Sequence, residues 1–150
     1  VETKRAILPP TYLLVTLLTM AALHLVLPVA WIIPLPWSIL GALPAAAGIV
    51  LNLLADRALK QAQTTVKPFQ PSRTLVTSGV YALTRHPMYL GYVLILLGVA
   101  VMLRCLTPFL LIPVFAALME RVFIRAEEDK LMAAFGEDYS RYGQKVGRWV

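Results

Sequence analysis

YLLVTLLTMAALHLVLPVAWIIPLPWSILGALPAAAGIVLNLL, residues 12–54, contains no Asp, Glu, Lys or Arg, and its reading decides the fold. About 20 apolar residues cross the hydrocarbon core of a bilayer, so a run of this length holds two spans. The first is expected at about 12–33, broken only by His24 and Pro28, and the second at about 37–54, with Pro44 and Gly48 inside it. The short uncharged link "IIPLPW" predicts a tight helical hairpin between them. Trp31 and Trp37 flank that link, as aromatic-belt residues do. Small residues in "GALPAAAG" suit close helix contacts, within the chain or between subunits.

Further along, residues 87–103 and 107–125 form two more apolar runs, with Arg104 the only charge between them. Across the chain, 59% of residues are hydrophobic and 15% charged. Soluble domains carry roughly 25% charged residues, so the chain belongs to the membrane class. The expected fold is an all-α integral membrane protein, a single domain over 1–150. It has four transmembrane helices, a loop at 57–86 and a C-terminal amphipathic helix in the tail 126–150. No stretch reads as a cleavable signal.

Basic residues set the expected orientation. Lys4 and Arg5 precede the first span, and Arg57, Lys60, Lys67, Arg73 and Arg85 lie between the second and third. Arg121, Arg125, Lys130, Arg141, Lys145 and Arg148 lie at or after the end of the fourth. Thirteen of the 14 basic residues thus share one side, all but Arg104. The positive-inside rule makes that side cytoplasmic, together with both termini and the long loop. The net charge of +6 is accounted for by the anionic membrane face, so no nucleic-acid partner is expected. The single cysteine, Cys105, excludes an internal disulfide and a multi-cysteine metal site and reads as a packing residue. His24, mid-span, reads as a helix-to-helix hydrogen-bonding group.

The loop is punctuated by Pro68, Pro71 and Gly79, and "LVTSGVYALT" is compatible with a short strand or a short helix. From Ala126 the tail has helical periodicity in Leu131, Met132, Phe135 and Tyr139, with a stop and restart expected at Gly136.

Two polar clusters stand at membrane boundaries. "RHPMY", residues 85–89, opens the third span. It could be interfacial charges, a first-turn proline and a belt tyrosine. "MERVFIRAEEDKL", residues 119–131, closes the fourth, with Arg121, Arg125 and Glu128 on one helical face and Glu120 and Glu127 on another. Alone it could be a snorkelling, self-paired helix end. Antiparallel packing of the two spans brings both clusters together, in a pocket open to cytosol and lipid. Such a pocket suits a reaction between a polar cofactor and an amphipathic substrate.

"LVTSGVYALTRHPMYLG" (75–91) followed by "RAEEDKLMAAFGEDYSRYGQKVGRWV" (125–150) closely resembles the isoprenylcysteine carboxyl methyltransferase family and its phospholipid methyltransferase relatives. The shared pattern is G-x-Y, R-H-P-x-Y-x-G, a span, E-E-x-x-L and F-G-x-x-Y-x-x-Y. The resemblance implies an integral membrane enzyme using S-adenosylmethionine, with His86, Pro87, Met88 and Tyr89 contacting that cofactor. It implies that Glu127 holds the cofactor's amino group and that Glu128 supports it or shapes the substrate side. It further implies that Leu94 and the 99–102 segment pack against the adenine and that Arg121 or Arg125 serves the substrate. Tyr81, Tyr89 and Glu127 suit cationic sulfonium and ammonium groups. The implied acceptor is a lipid or small hydrophobic molecule, whose nucleophile is a carboxylate, an amine or a thiol. Two other readings share the same features. One is a sterol-type reductase using NADPH; the other is a non-catalytic membrane scaffold or lipid-binding subunit.

Overall fold

The computed structural model describes residues 7–64 and 71–150; Lys4, Arg5, Lys67 and Pro68 lie outside the described residues. Among the described residues, five helical elements follow in order: α1 (Pro9–Val26), α2 (Leu35–Gln61), α3 (Pro87–Leu103), α4 (Leu106–Phe135) and α5 (Glu137–Lys145). A 3-10 turn, Gly79–Ala82, precedes α3, which settles "LVTSGVYALT" as a helical turn. Among the described residues, three helices are long and apolar enough to cross a membrane: α1, α2 and α4. The fourth apolar helix, α3, is shorter at 17 residues.

Prolines fix several helix starts. Pro9 and Pro10 open α1, and Pro87 opens α3, where the missing N–H costs nothing. Proline also corrects the first span. Leu27 precedes Pro28 and leaves the helical region (φ −139°, ψ 65°), so α1 ends at Val26 and 27–33 is an irregular link.

That link does not close a hairpin of α1 on α2. Instead α1 packs on α4 and α3, and α2 packs on the opposite flank of α3. The link runs beside the α3–α4 turn, where Ile32 N–H donates to the Arg104 carbonyl (2.9 Å) and Leu106 N–H to that of Ala30 (2.9 Å). Thr107 donates to the Leu27 carbonyl (2.7 Å). His24 finds its partners here rather than on a helix, with Nδ1 3.2 Å from Cys105 Sγ and its ring 5.4 Å from that of Trp31. Cys105 is buried, as its reading as a packing residue expects. Arg104 caps α3 in the left-handed region (φ 67°) and lies 5.3 Å over the Trp31 ring.

The centre of the molecule is α3. Its Tyr89, Tyr92, Leu96 and Ala100 join Met20 of α1 and Phe115, Met119, Phe123 and Ile124 of α4 in one buried cluster. On its other flank, Gly91 and Gly98 meet Gly48 and Gly41 of α2 so closely that a β-carbon at any of them would strike the facing helix. The "GALPAAAG" stretch therefore serves internal contact. Without water to drive association in a bilayer, this close backbone approach supplies the dispersion contact that holds helices together.

The fourth span differs most from expectation. It continues as one helix from Leu106 to Phe135, past position 125, and includes a π-turn at Glu120–Ile124. Its last segment, Arg125–Phe135, is an α-helix continuous with the apolar run before it. Gly136 breaks it as expected, at φ 50° and ψ −118°, and α5 restarts at Glu137. That dihedral pair is tolerated almost only by glycine.

Candidate active site

The site forms where the start of α3 meets the far segment of α4. Pro87 pushes the residue before it out of the helical region, and His86 adopts φ −128°, ψ 60°. Its side chain, only 3% exposed, sits between two carboxylates of α4. Nδ1 lies 3.5 Å from Glu127 Oε2, and Nε2 lies 3.3 Å from Glu128 Oε1. One turn into α3, the Tyr89 hydroxyl donates to Glu127 Oε1 at 2.6 Å. The chain of contacts thus runs from Tyr89 through Glu127 and His86 to Glu128.

Two arginines complete it. Arg148 donates to Glu128 from Nε (3.0 Å) and Nη2 (2.6 Å), and to Glu120 from Nη1 (3.0 Å). Arg85 Nη1 lies 3.2 Å from Glu128 Oε1 and 3.3 Å from the Tyr139 hydroxyl. Behind them, Thr84 accepts from His86 N–H and donates to the Arg148 carbonyl, while Arg85 N–H donates to the Gly147 carbonyl.

His86 bears the electrostatic consequence. Burial opposes its protonation, but hydrogen bonds to Glu127 and Glu128 and the charges of both override burial and raise its pKa above the ordinary imidazole value. A raised folded-state pKa stabilises the fold fully below the unfolded value, and that contribution is lost as pH rises through the folded one. The wild-type melting temperature should therefore fall as pH climbs from about 6 to above the folded pKa. In His86→Gln that slope should flatten; an unchanged slope by differential scanning calorimetry would contradict the placement of His86 between the carboxylates.

Arg85, His86, Tyr89 and Glu127 of this network line one wall of a cavity of about 750 Å³, with Glu128 and Arg148 outside its lining. Tyr81, Pro87, Met88 and Tyr92 extend the wall, and Pro9, Leu59, Leu75 and Leu131 add apolar lining. Arg85, His86, Glu127 and Lys130 are its charged lining groups. Burial, then the charge of Glu127, raises the Tyr81 pKa and keeps its phenol protonated.

Of the residues singled out from sequence, the structure brings Tyr81, His86, Pro87, Met88, Tyr89, Glu127 and Glu128 together. Leu94 and the 99–102 segment do not line the cavity. Arg121 and Arg125 do not reach it either. A π-turn adds one residue per turn and rotates everything beyond it by roughly 100° relative to a continuous α-helix. Arg121 thus loses its shared face with Glu128 and is exposed. Arg125 turns back to Glu120 (3.7 Å) and is 64% exposed. The cations on Glu128 are Arg85, already visible beside His86 in sequence, and Arg148. No local spacing signals Arg148, which arrives only because the chain folds back after α5.

The sequence profile of the phospholipid methyltransferase family (PEMT) matches residues 37–138, more than half of the chain. The chain belongs to that family. It is 37% identical over 75 residues to the protein-S-isoprenylcysteine O-methyltransferase of Schizosaccharomyces pombe, covering 48% of this chain and 30% of that protein. It is 42% identical over 78 residues to the protein of the same name from Xenopus laevis, covering 50% and 26%. The cobalt-zinc-cadmium resistance protein CzcN of Cupriavidus metallidurans is 40% identical over 75 residues, covering 50% and 34%. The chain thus spans about a third or less of the length of these relatives. Among solved structures, the eukaryotic intramembrane Ras methyltransferase ICMT (isoprenylcysteine carboxyl methyltransferase) aligns with a TM-score of 0.61 at 22% identity. That alignment covers 100% of this chain and 53% of the other, and the likeness is one of fold.

Proposed function

We propose that this chain is a membrane methyltransferase that binds S-adenosylmethionine in the cavity beside α3. Its methyl acceptor is a lipid or small hydrophobic molecule at the cytoplasmic face. The observation that carries this reading is that Tyr89, Glu127 and His86, held together and backed by Glu128, line one cavity next to apolar helix surface. The residues fit the cofactor: one carboxylate, Glu127, faces a cavity walled by Tyr81, Tyr89 and Tyr92, which suits a ligand with two cationic groups. The volume falls within the roughly 300–1,000 Å³ usual for ligand sites. In this reading α3 also crosses the membrane, making four spans, and the clustering of basic residues supports a cytoplasmic site with both termini on the same side.

When bound, S-adenosylmethionine supplies a methyl group activated by its sulfonium. Glu127 holds the ammonium; Tyr89 and His86 fix the rotamer of Glu127. His86 has each ring nitrogen facing a carboxylate, which favours its protonated form and disfavours a role as base. Glu128 is neutralised by Arg85 and Arg148. The site therefore favours an acceptor that arrives already ionised, and a carboxylate meets that condition at neutral pH. Arg85, His86 and Lys130 on the cavity wall favour an anion over a protonated amine. The curated relatives named O-methyltransferases are in line with an oxygen acceptor.

Calorimetric titration of S-adenosylhomocysteine into detergent-purified protein tests the reading, with NADPH as the control. Saturable binding of the first alone is the expected result. Binding of NADPH alone, or of neither by folded protein, would overturn it.

A further inference from the structure

We infer that Arg148 is a positioning residue that sets the geometry of the cofactor-binding wall by stapling the two sides of the α4 π-turn to the start of α3. This rests on the methyltransferase reading. Glu120 opens the π-turn, and Glu128 lies beyond it in the following α-segment. Arg148 holds both carboxylates at once through three hydrogen bonds of 2.6–3.0 Å. Its own carbonyl accepts from Thr84, and the neighbouring Gly147 carbonyl accepts from Arg85 N–H. Trp149 packs against the buried core cluster and anchors the segment.

A π-turn has poorer hydrogen-bond geometry than an α-helix and marks a place where register can slip. A slip there would carry Glu127 and Glu128 off His86. Arg148 opposes the slip because its planar fork spans carboxylates on both sides of the turn, which a lysine's single ammonium cannot do. It touches neither cofactor nor acceptor; it acts through Glu128, which aims His86, whose other nitrogen holds Glu127. The groups facing His86 are Glu127 and Glu128 from α4, Tyr89 from α3 (ring centroids 5.9 Å apart), and adjacent Arg85 through its pairing with Glu128.

NMR titration of the labelled imidazole reads His86 directly. In Arg148→Gln, Glu128 loses its nearest cation, so the His86 midpoint should move up. Affinity for S-adenosylhomocysteine should fall about 10-fold, the lower end of the effect of removing a supporting partner. Arg148→Lys should restore the midpoint in part but not the affinity. Glu120→Gln, which cuts only one arm of the staple, should lower affinity and leave the midpoint alone. A folded Arg148→Gln with wild-type midpoint and affinity overturns the inference. If that variant does not fold, wild-type affinity in both Arg148→Lys and Glu120→Gln overturns it. The His86 midpoint needs no cofactor, so wild-type protein that binds no S-adenosylhomocysteine would sink the methyltransferase reading while leaving the Arg148–His86 coupling separately measurable.

Discussion

Glu127→Ala should abolish measurable binding of S-adenosylhomocysteine while leaving the protein folded. The carboxylate is only 22% exposed and accepts from Tyr89 at 2.6 Å. Its removal takes the anionic partner from the ligand's ammonium and leaves the Tyr89 hydroxyl without its acceptor. Losing one member of a buried charge pair typically costs about 2–5 kcal/mol, a weakening of about 30-fold to several thousand-fold. Glu127→Gln keeps an acceptor for Tyr89 and removes only the charge, so it should bind more tightly than the alanine variant and less tightly than wild type. Isothermal titration of all three forms, with melting temperatures measured alongside, separates lost affinity from lost structure. Wild-type affinity in Glu127→Ala would place the ammonium elsewhere.

Gly98→Leu should prevent recovery of folded protein. A β-carbon at Gly98 would strike the Gly41 carbonyl and lie 2.6 Å from both the β-carbon and the amide nitrogen of Ala45. Excess side-chain volume in a core usually costs about 1–3 kcal/mol because neighbours adjust. Here most of the obstruction is helix backbone, which cannot rotate aside, so α2 and α3 must separate along their length. Leu110→Phe, at a position 58% exposed on α4, adds comparable bulk toward lipid and should be tolerated. Size-exclusion chromatography and thermal melting in one detergent compare the two. A Gly98→Leu protein as stable as wild type would mean that α2 and α3 do not pack as described.

The helical architecture was legible because apolar runs free of Asp, Glu, Lys and Arg have few alternatives. The bounds of α3 at 87 and 103 follow from Pro87 and from the polar link at Arg104. Gly136 announced the break before α5. The pairing of α1 was not legible: a short uncharged link constrains distance along the chain, whereas which helix face α1 covers depends on complementarity with α3 and α4. At the site, His86, Tyr89, Glu127 and Glu128 were legible because their spacing is fixed by sequence on either side of one sharp turn. Arg121 and Arg125 were misplaced by the assumption of 3.6 residues per turn through residues 120–124, where the helix departs from it. The pairing of Arg148 with residues 20 and 28 positions earlier depends on a chain reversal, and no local rule reports it.

The unbroken run of α4 ties the site to the bilayer. Its 30 residues make a rod about 45 Å long, against a hydrocarbon core of about 30 Å. Roughly a third of the rod must project beyond one face or be absorbed by tilt. Glu127 and Glu128 lie in the last third of this rod, while His86 and Tyr89 lie at the start of the shorter α3. Any change in membrane thickness that tilts the long rod more than the short one therefore shears the two halves of the cavity past each other. Sharing the site between helices of unequal length makes the alignment of its carboxylates answerable to the surrounding lipids.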